Sequence, residues 1–282
     1  MKLVTFSQGG STRLGVRQSG GIIDITRHRP QLATLRTALE LGALREIEVL
    51  EQTHEPDFAM EEIRIEPVVP DPKKIICVGL NYQAHRDEAH RTEAEHPTLF
   101  TRFPDSQTAD GAVVTRPKSV SGLDYEGELA VVIGAAGSSI RKEDASSFVA
   151  GYACYNDFSA RDWQAHSTQW TAGKNFPGTG AFGPCLVTVD EIPDATRLTV
   201  QTRVNGELRQ SGQLSDLIFP IPNLIAYISQ FTLLSPGDVI VTGTPAGVGA
   251  FADPPVFLQD GDDVEVAIPR VGTLRNRIRA EH

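Results

Sequence analysis

The segment DYEGELAVVIG, residues 124 to 134, constrains the fold more than any other. Its second half is a core strand, stopped by the turn residues AAGSS. Its first half carries two glutamates, Glu126 and Glu128, separated by a single glycine. On a strand, residues i and i+2 share a face, so both acids project side by side, roughly 7 Å apart at Cα. Tyr125 and Gly127 face the other way, and the glycine lets another segment approach closely. In a dry pocket without a cation, the repulsion of the two carboxylates would raise a pKa. A divalent ion removes that problem, and oxygen ligands suit Mg²⁺, Mn²⁺ or Ca²⁺. The alternative is the solvent face of an edge strand, for which E-x-E is a common pattern.

A hard cation needs a third acid. Asp157 in CYNDFSARDWQ is the candidate, with Asp162 and Asp124 as competitors. Three carboxylates around a divalent ion leave about one net negative charge and open positions for water and a chelating oxyanion.

The rest of the chain reads as many short strands and few helices. KLVTF, TRLGVRQ and GGIIDI alternate between turns, and EEIRIEPVVP alternates again. Residues 31 to 50 read as helical, with Leu32, Leu35, Leu39 and Ala43 as the apolar stripe and Gly42 as an interruption. The prolines of VVPDPKK end a small N-terminal α/β domain at residues 1–70, followed by a larger domain at 71–282. IICVGLNY is a buried strand ending in a loop, and residues 82 to 97 are a helix or a mobile segment over a site. Asn205-Gly206 marks a hairpin. Repeated strand–helix alternation is missing, which argues against a doubly wound sheet or a TIM barrel. The fold class is therefore α+β, rich in mixed sheet.

The formal net charge of −10 argues against a nucleic-acid surface. The N-terminus lacks a signal-peptide h-region and no run reaches transmembrane length, so a soluble cytoplasmic protein is expected, with no membrane partner. Cys77, Cys154 and Cys185 read as buried thiols of a reducing compartment. The glycine-rich turn from Thr242 to Gly249 lacks the GKS or GKT ending of a phosphate loop.

Several pieces, in order, now carry a resemblance: VGLNYQAHRDE, DYEGELAVVIG, YNDFSARDWQ, GKNF, FGPCLVT, RVNGELRQSG and LSPGDVIVTGTPAGVG. Together they span about residues 70 to 280, and the chain resembles the fumarylacetoacetate hydrolase family. The resemblance implies a mixed β-roll core and a smaller N-terminal domain. It implies Mg²⁺ or Mn²⁺ on Glu126, Glu128 and Asp157, and a His85–Glu88 pair in a segment that closes over substrate. It also places Lys174, Arg161 and Gln164 in the pocket with the segment Thr242 to Pro245, including Thr244, and implies a homodimer. Two departures stand out: Pro177 follows Phe176 where the family commonly has an aspartate, and FPGTGAFG is glycine-rich where many members are not. Both bear on substrate identity.

The chemistry expected from these residues is stabilisation of an enolate. A substrate with adjacent carboxylate and keto oxygens chelates the ion, and His85 acts as general base with Glu88 three residues on. Lys174 and Arg161 would neutralise developing charge, and Gln164 would donate to an oxyanion. The leading expectation is hydrolysis of a carbon–carbon bond in an acylpyruvate or related β-diketo acid. The alternative is decarboxylation or keto–enol isomerisation of an oxaloacetate-type 2-oxo acid, and a third is a silent protein that binds metal and 2-oxo acid.

Overall fold

A computed structural model describes residues 1–281. The main sheet has eleven strands. Its longest path runs Gly21–Asp24, Ser11–Gln18, Lys2–Gln8, Gly180–Thr188, Val149–Asp157, Gly127–Ile133, Val239–Val241, Ile75–Gly79 and Thr98–Arg102. A second sheet orders Glu207–Gln213, Thr199–Val204, Asp263–Ile268, Gly272–Ala280 and Val113–Arg116. Both sheets are mixed: Val239–Val241 runs parallel to Ile75–Gly79, and Gly272–Ala280 parallel to Val113–Arg116. This is the expected α+β, mixed β-roll architecture.

Gly127–Ile133 lies inside the main sheet, paired with Val149–Asp157 on one side and Val239–Val241 on the other. Its alternate residues serve two cores. Leu129, Val131 and Ile133 pack with Val200, Val264 and Val266 of the second sheet. Ala130 and Val132 join Leu3, Leu14, Leu35 and Ile47 from the N-terminal segment. Each fully buried aliphatic side chain contributes about 1.5–3 kcal/mol. That burial offsets the cost of holding acids at the strand's start. Gly127 turns toward the second sheet, where a Cβ would lie 2.1 Å from Thr202 Oγ1. The close approach expected of this glycine is therefore present.

The N-terminal strands extend the main sheet through Lys2–Gln8, which pairs with Gly180–Thr188, so elements on both sides of residue 70 share one sheet and one core. The helical stretch of residues 31 to 50 is two helices, Leu35–Glu40 and Leu44–Thr53, separated by Gly42 at φ +65. Leu32, Leu35, Leu39 and Ala43 are all buried. EEIRIEPVVP gives only the short strand Arg64–Ile65. Asn205 and Gly206 both have positive φ, as a two-residue hairpin turn requires. Among the described residues, no helix is long and apolar enough to cross a membrane.

Candidate metal and proton-transfer site

Glu126 and Glu128 flank Gly127 at the mouth of the central strand, and Asp157 ends the neighbouring strand Val149–Asp157. Antiparallel pairing sets Gly127 opposite Asn156, which brings the third acid to the first two. The three side chains are buried, and each offers an oxygen within 4.8 Å of the others. Of the competing acids, Asp124 accepts backbone N–H bonds from Tyr125, Gly249 and Ala250, and Asp162 bonds Ser121 at the surface. Asp157 is the third member of the cluster.

Three cations meet these acids. Lys174 Nζ donates to Glu126 Oε2 at 2.7 Å and to Asp157 Oδ2 at 2.5 Å. Arg161 bonds Asp124 Oδ2 through Nε at 2.9 Å and Glu126 Oε1 through Nη1 at 2.7 Å. Arg102 pairs with Asp157 Oδ1, and its Nη2 donates to Thr179 Oγ1 at 2.7 Å. Among the described residues, no basic side chain pairs with Glu128; its Oε2 accepts the Gly243 N–H. With all groups ionised, four acids face three bases, and the excess negative charge falls at Glu128. A divalent cation fits this donor set: hard oxygen ligands, a surplus negative charge, and carboxylate oxygens with lone pairs to spare.

The electrostatics express the same imbalance. Burial, and then the charges of Asp157 and Glu126, push the Glu128 carboxyl well above the usual carboxylate range. Burial would raise Glu126 as well, but Lys174 and Arg161 outweigh it and hold that carboxyl down at about 2. A carboxyl raised on folding stabilises the folded chain while it is protonated. That contribution is present below its unfolded pKa and is lost as pH climbs through the folded value. The ion-free chain is thus expected to melt at lower temperature as pH rises from the ordinary carboxylate range. Magnesium is expected to stabilise it most at the alkaline end, where no proton competes for Glu128. Thermal melts in chelator and in magnesium across pH check this; a magnesium effect independent of pH contradicts it.

His85 lies on the helix Gln83–Glu88, the only regular structure between residues 82 and 97. Its Nδ1 is 2.7 Å from Glu88 Oε1, the i,i+3 contact expected. Glu88 also accepts the Gly247 N–H, at 3.0 Å to Oε2. The helix is thereby tied to the glycine-rich turn. With Glu88 as acceptor, the proton sits on Nδ1 and the other ring nitrogen, Nε2, is left basic. Among the other histidines, His96 stacks on Tyr227 and His166 lies against Trp163.

His85, Glu126, Glu128, Arg161, Gln164, Lys174 and Thr244 all line one cavity of about 850 Å³. Gln164 Oε1 accepts from Arg161 Nη1 at 3.0 Å, which leaves its amide N–H groups. The Thr244 hydroxyl donates to Gly127 O and accepts from Gln210 Nε2, so it fastens the turn to the central strand. Lys174, with 1% of its surface exposed, is a counter-ion for two acids rather than a free amine. Two residues that serve the site were not singled out for these roles. Arg102 stands in TLFTRFPDS, which has no distinctive spacing, and Asp124 had been weighed only as a ligand.

The description "Fumarylacetoacetate (FAA) hydrolase C-terminal" matches residues 74–279. The oxaloacetate tautomerase YisK of Bacillus subtilis (strain 168) is 47% identical over 225 residues, 78% of this chain and 75% of its own. The mitochondrial oxaloacetate tautomerase fahd2 of Xenopus laevis is 38% identical over 287 residues, 99% of this chain and 90% of its own. The crystal structure of maleylpyruvate hydrolase from Sphingobium sp. SYK-6, in complex with manganese(II) ion and pyruvate, matches with a TM-score of 0.83. It is 29% identical, with 100% of both chains covered.

Proposed function

The chain belongs to the fumarylacetoacetate hydrolase family, and from that premise we propose that it is a divalent-metal-dependent tautomerase interconverting the keto and enol forms of an oxaloacetate-type 2-oxo acid. Glu126, Glu128 and Asp157 would hold Mg²⁺ or Mn²⁺. When bound, the ion supplies Lewis-acid polarisation of the 2-oxo group.

The chain's own residues do the rest. His85 takes a proton from the carbon next to the 2-oxo group. The C–H electron pair becomes the C=C bond of the enol, and the carbonyl oxygen gains the proton. Glu88 accepts from Nδ1 and holds the ring in place. Arg161 and Gln164 face the cavity as donors to the oxyanion. Phe251 lines the same cavity, with its ring centre 6.0 Å from that of His85.

The observation that carries this reading is the one histidine among the described residues that lines the cavity, buried and engaged only through Nδ1. Lys174 is bound by two acids and Glu88 by His85 and Gly247, and Glu93, which also lines the cavity, is exposed, so His85 is the buried group outside the acid cluster that remains for exchange with substrate. One such group suffices for tautomerisation, whereas hydrolysis also requires a positioned water. Carbon–carbon hydrolysis, the leading expectation from the sequence, therefore becomes the second reading. It is supported by the likeness to maleylpyruvate hydrolase.

The test mixes magnesium-loaded protein with enol-oxaloacetate and follows loss of the enol absorbance. Carbon dioxide release, and pyruvate release from acylpyruvates, are followed alongside. Faster tautomer equilibration without carbon dioxide is expected. Pyruvate from an acylpyruvate, with oxaloacetate equilibrating at its uncatalysed rate, would replace this reading with the hydrolase.

A further inference from the structure

We infer that Arg86 receives the second carboxylate of the substrate, so that the cavity selects dicarboxylic over monocarboxylic 2-oxo acids. The inference deepens the tautomerase reading and rests on it for the class of ligand. Arg86 follows His85 on the same short helix, lines the same cavity and is only 4% exposed. Its Nη2 donates to Leu80 O at 3.2 Å, and its buried Nε has no partner. Among the described residues, no carboxylate lies within ion-pair distance of it.

The other cations of the cavity differ. Lys174 is committed to Glu126 and Asp157, and Arg161 is neutralised by Asp124 and Glu126, although its Nη2 has no partner. Arg91 also lines the cavity but is exposed. Arg86 is therefore the one buried cation of the cavity without an acid against it. Burying a guanidinium without a counter-charge is costly, and a ligand carboxylate would remove that cost. The planar fork suits a carboxylate, which it can grip through two parallel N–H bonds. A 2-oxo diacid whose carboxylate and keto oxygens would be held by an ion at the acidic triad has one carboxylate left over, and Arg86 is the buried cation without an acid that answers it.

Malate and lactate separate this role from the rest of the site. They share a 2-hydroxy-carboxylate handle, differ by one carboxylate, and are not turned over by tautomerisation. Magnesium-loaded protein is titrated calorimetrically with both enantiomers of each. Wild-type protein is expected to prefer one malate enantiomer over the matching lactate by at least about tenfold. Arg86→Gln should abolish that preference by weakening malate alone, and Arg86→Lys, which keeps the charge without the fork, should fall between. Equal weakening of malate and lactate would mean that Arg86 only braces the loop at Leu80, and would overturn the inference. So would a wild-type protein without the preference, or a preference that survives Arg86→Gln. Should Arg86→Gln fail to fold, the wild-type ratio and Arg86→Lys decide the matter. A protein that prefers malate yet leaves oxaloacetate tautomers alone would retain the inference and lose the tautomerase reading.

Discussion

Replacing His85 with alanine is expected to slow oxaloacetate tautomerisation by about 10²–10⁴-fold, the usual contribution of a positioned acid–base group. The loss should fall on turnover. His85 is outside the carboxylate cluster, and its Nδ1 engages Glu88 rather than Glu126, Glu128 or Asp157. Magnesium uptake should therefore persist, which separates loss of the proton carrier from collapse of the site. Glu88→Gln should cost less, because an amide oxygen still accepts from Nδ1 while the carboxylate's charge is gone. Stopped-flow measurement of enol decay in both variants, with calorimetric magnesium binding beside it, checks the pair. Near-wild-type rates for His85→Ala would remove His85 from the mechanism.

The second large effect belongs to Arg102. Its side chain and that of Asp157 are both fully buried, and they pair directly. Arg102→Met removes the positive charge and also the donor to Thr179, and it leaves Asp157 with Lys174 alone. Breaking a buried ion pair from one side costs about 3–5 kcal/mol, because the remaining charge stays buried. For a chain of this size that lowers the melting temperature by about 10 °C. The variant should also bind magnesium about 10–100-fold more weakly, since Arg102 fixes the direction of the Asp157 carboxylate. Differential scanning calorimetry and ion titration read the two effects. An Arg102→Met chain of unchanged stability would show that the Arg102–Asp157 pair does not hold the folded chain together.

These two residues also show what could be read from the chain. Glu126, Glu128 and the His85–Glu88 pair were legible because local geometry suffices: i,i+2 on a strand and i,i+3 on a helix. Asp157 was legible only as one of three acids, since its place depends on the register between Gly127 and Asn156. Arg102 was not legible. It stands at the end of Thr98–Arg102, four strands from Val149–Asp157 along the sheet path, and its contact with Asp157 is one that no local pattern announces. The strand Gly180–Thr188 was hidden for a different reason. Gly183 and Pro184 are residues that ordinarily interrupt a strand, yet the strand is buried in mid-sheet. Proline there removes a ladder donor. The register against Val149–Asp157 shifts nearby, between Tyr152 and Cys154. Gly42, by contrast, acted as its local chemistry predicts and divided one expected helix into two.

The proposed chemistry depends on a cation drawn to the surplus charge at Glu128. Calorimetric titration of magnesium and manganese into the wild-type chain and into Glu128→Gln tests it most directly. The account predicts one ion per chain for the wild type, with protons released on uptake, and loss of at least about 1.4 kcal/mol of binding free energy, a tenfold weakening, for the variant. Absence of uptake by the wild-type chain, or equal uptake by both, would contradict it.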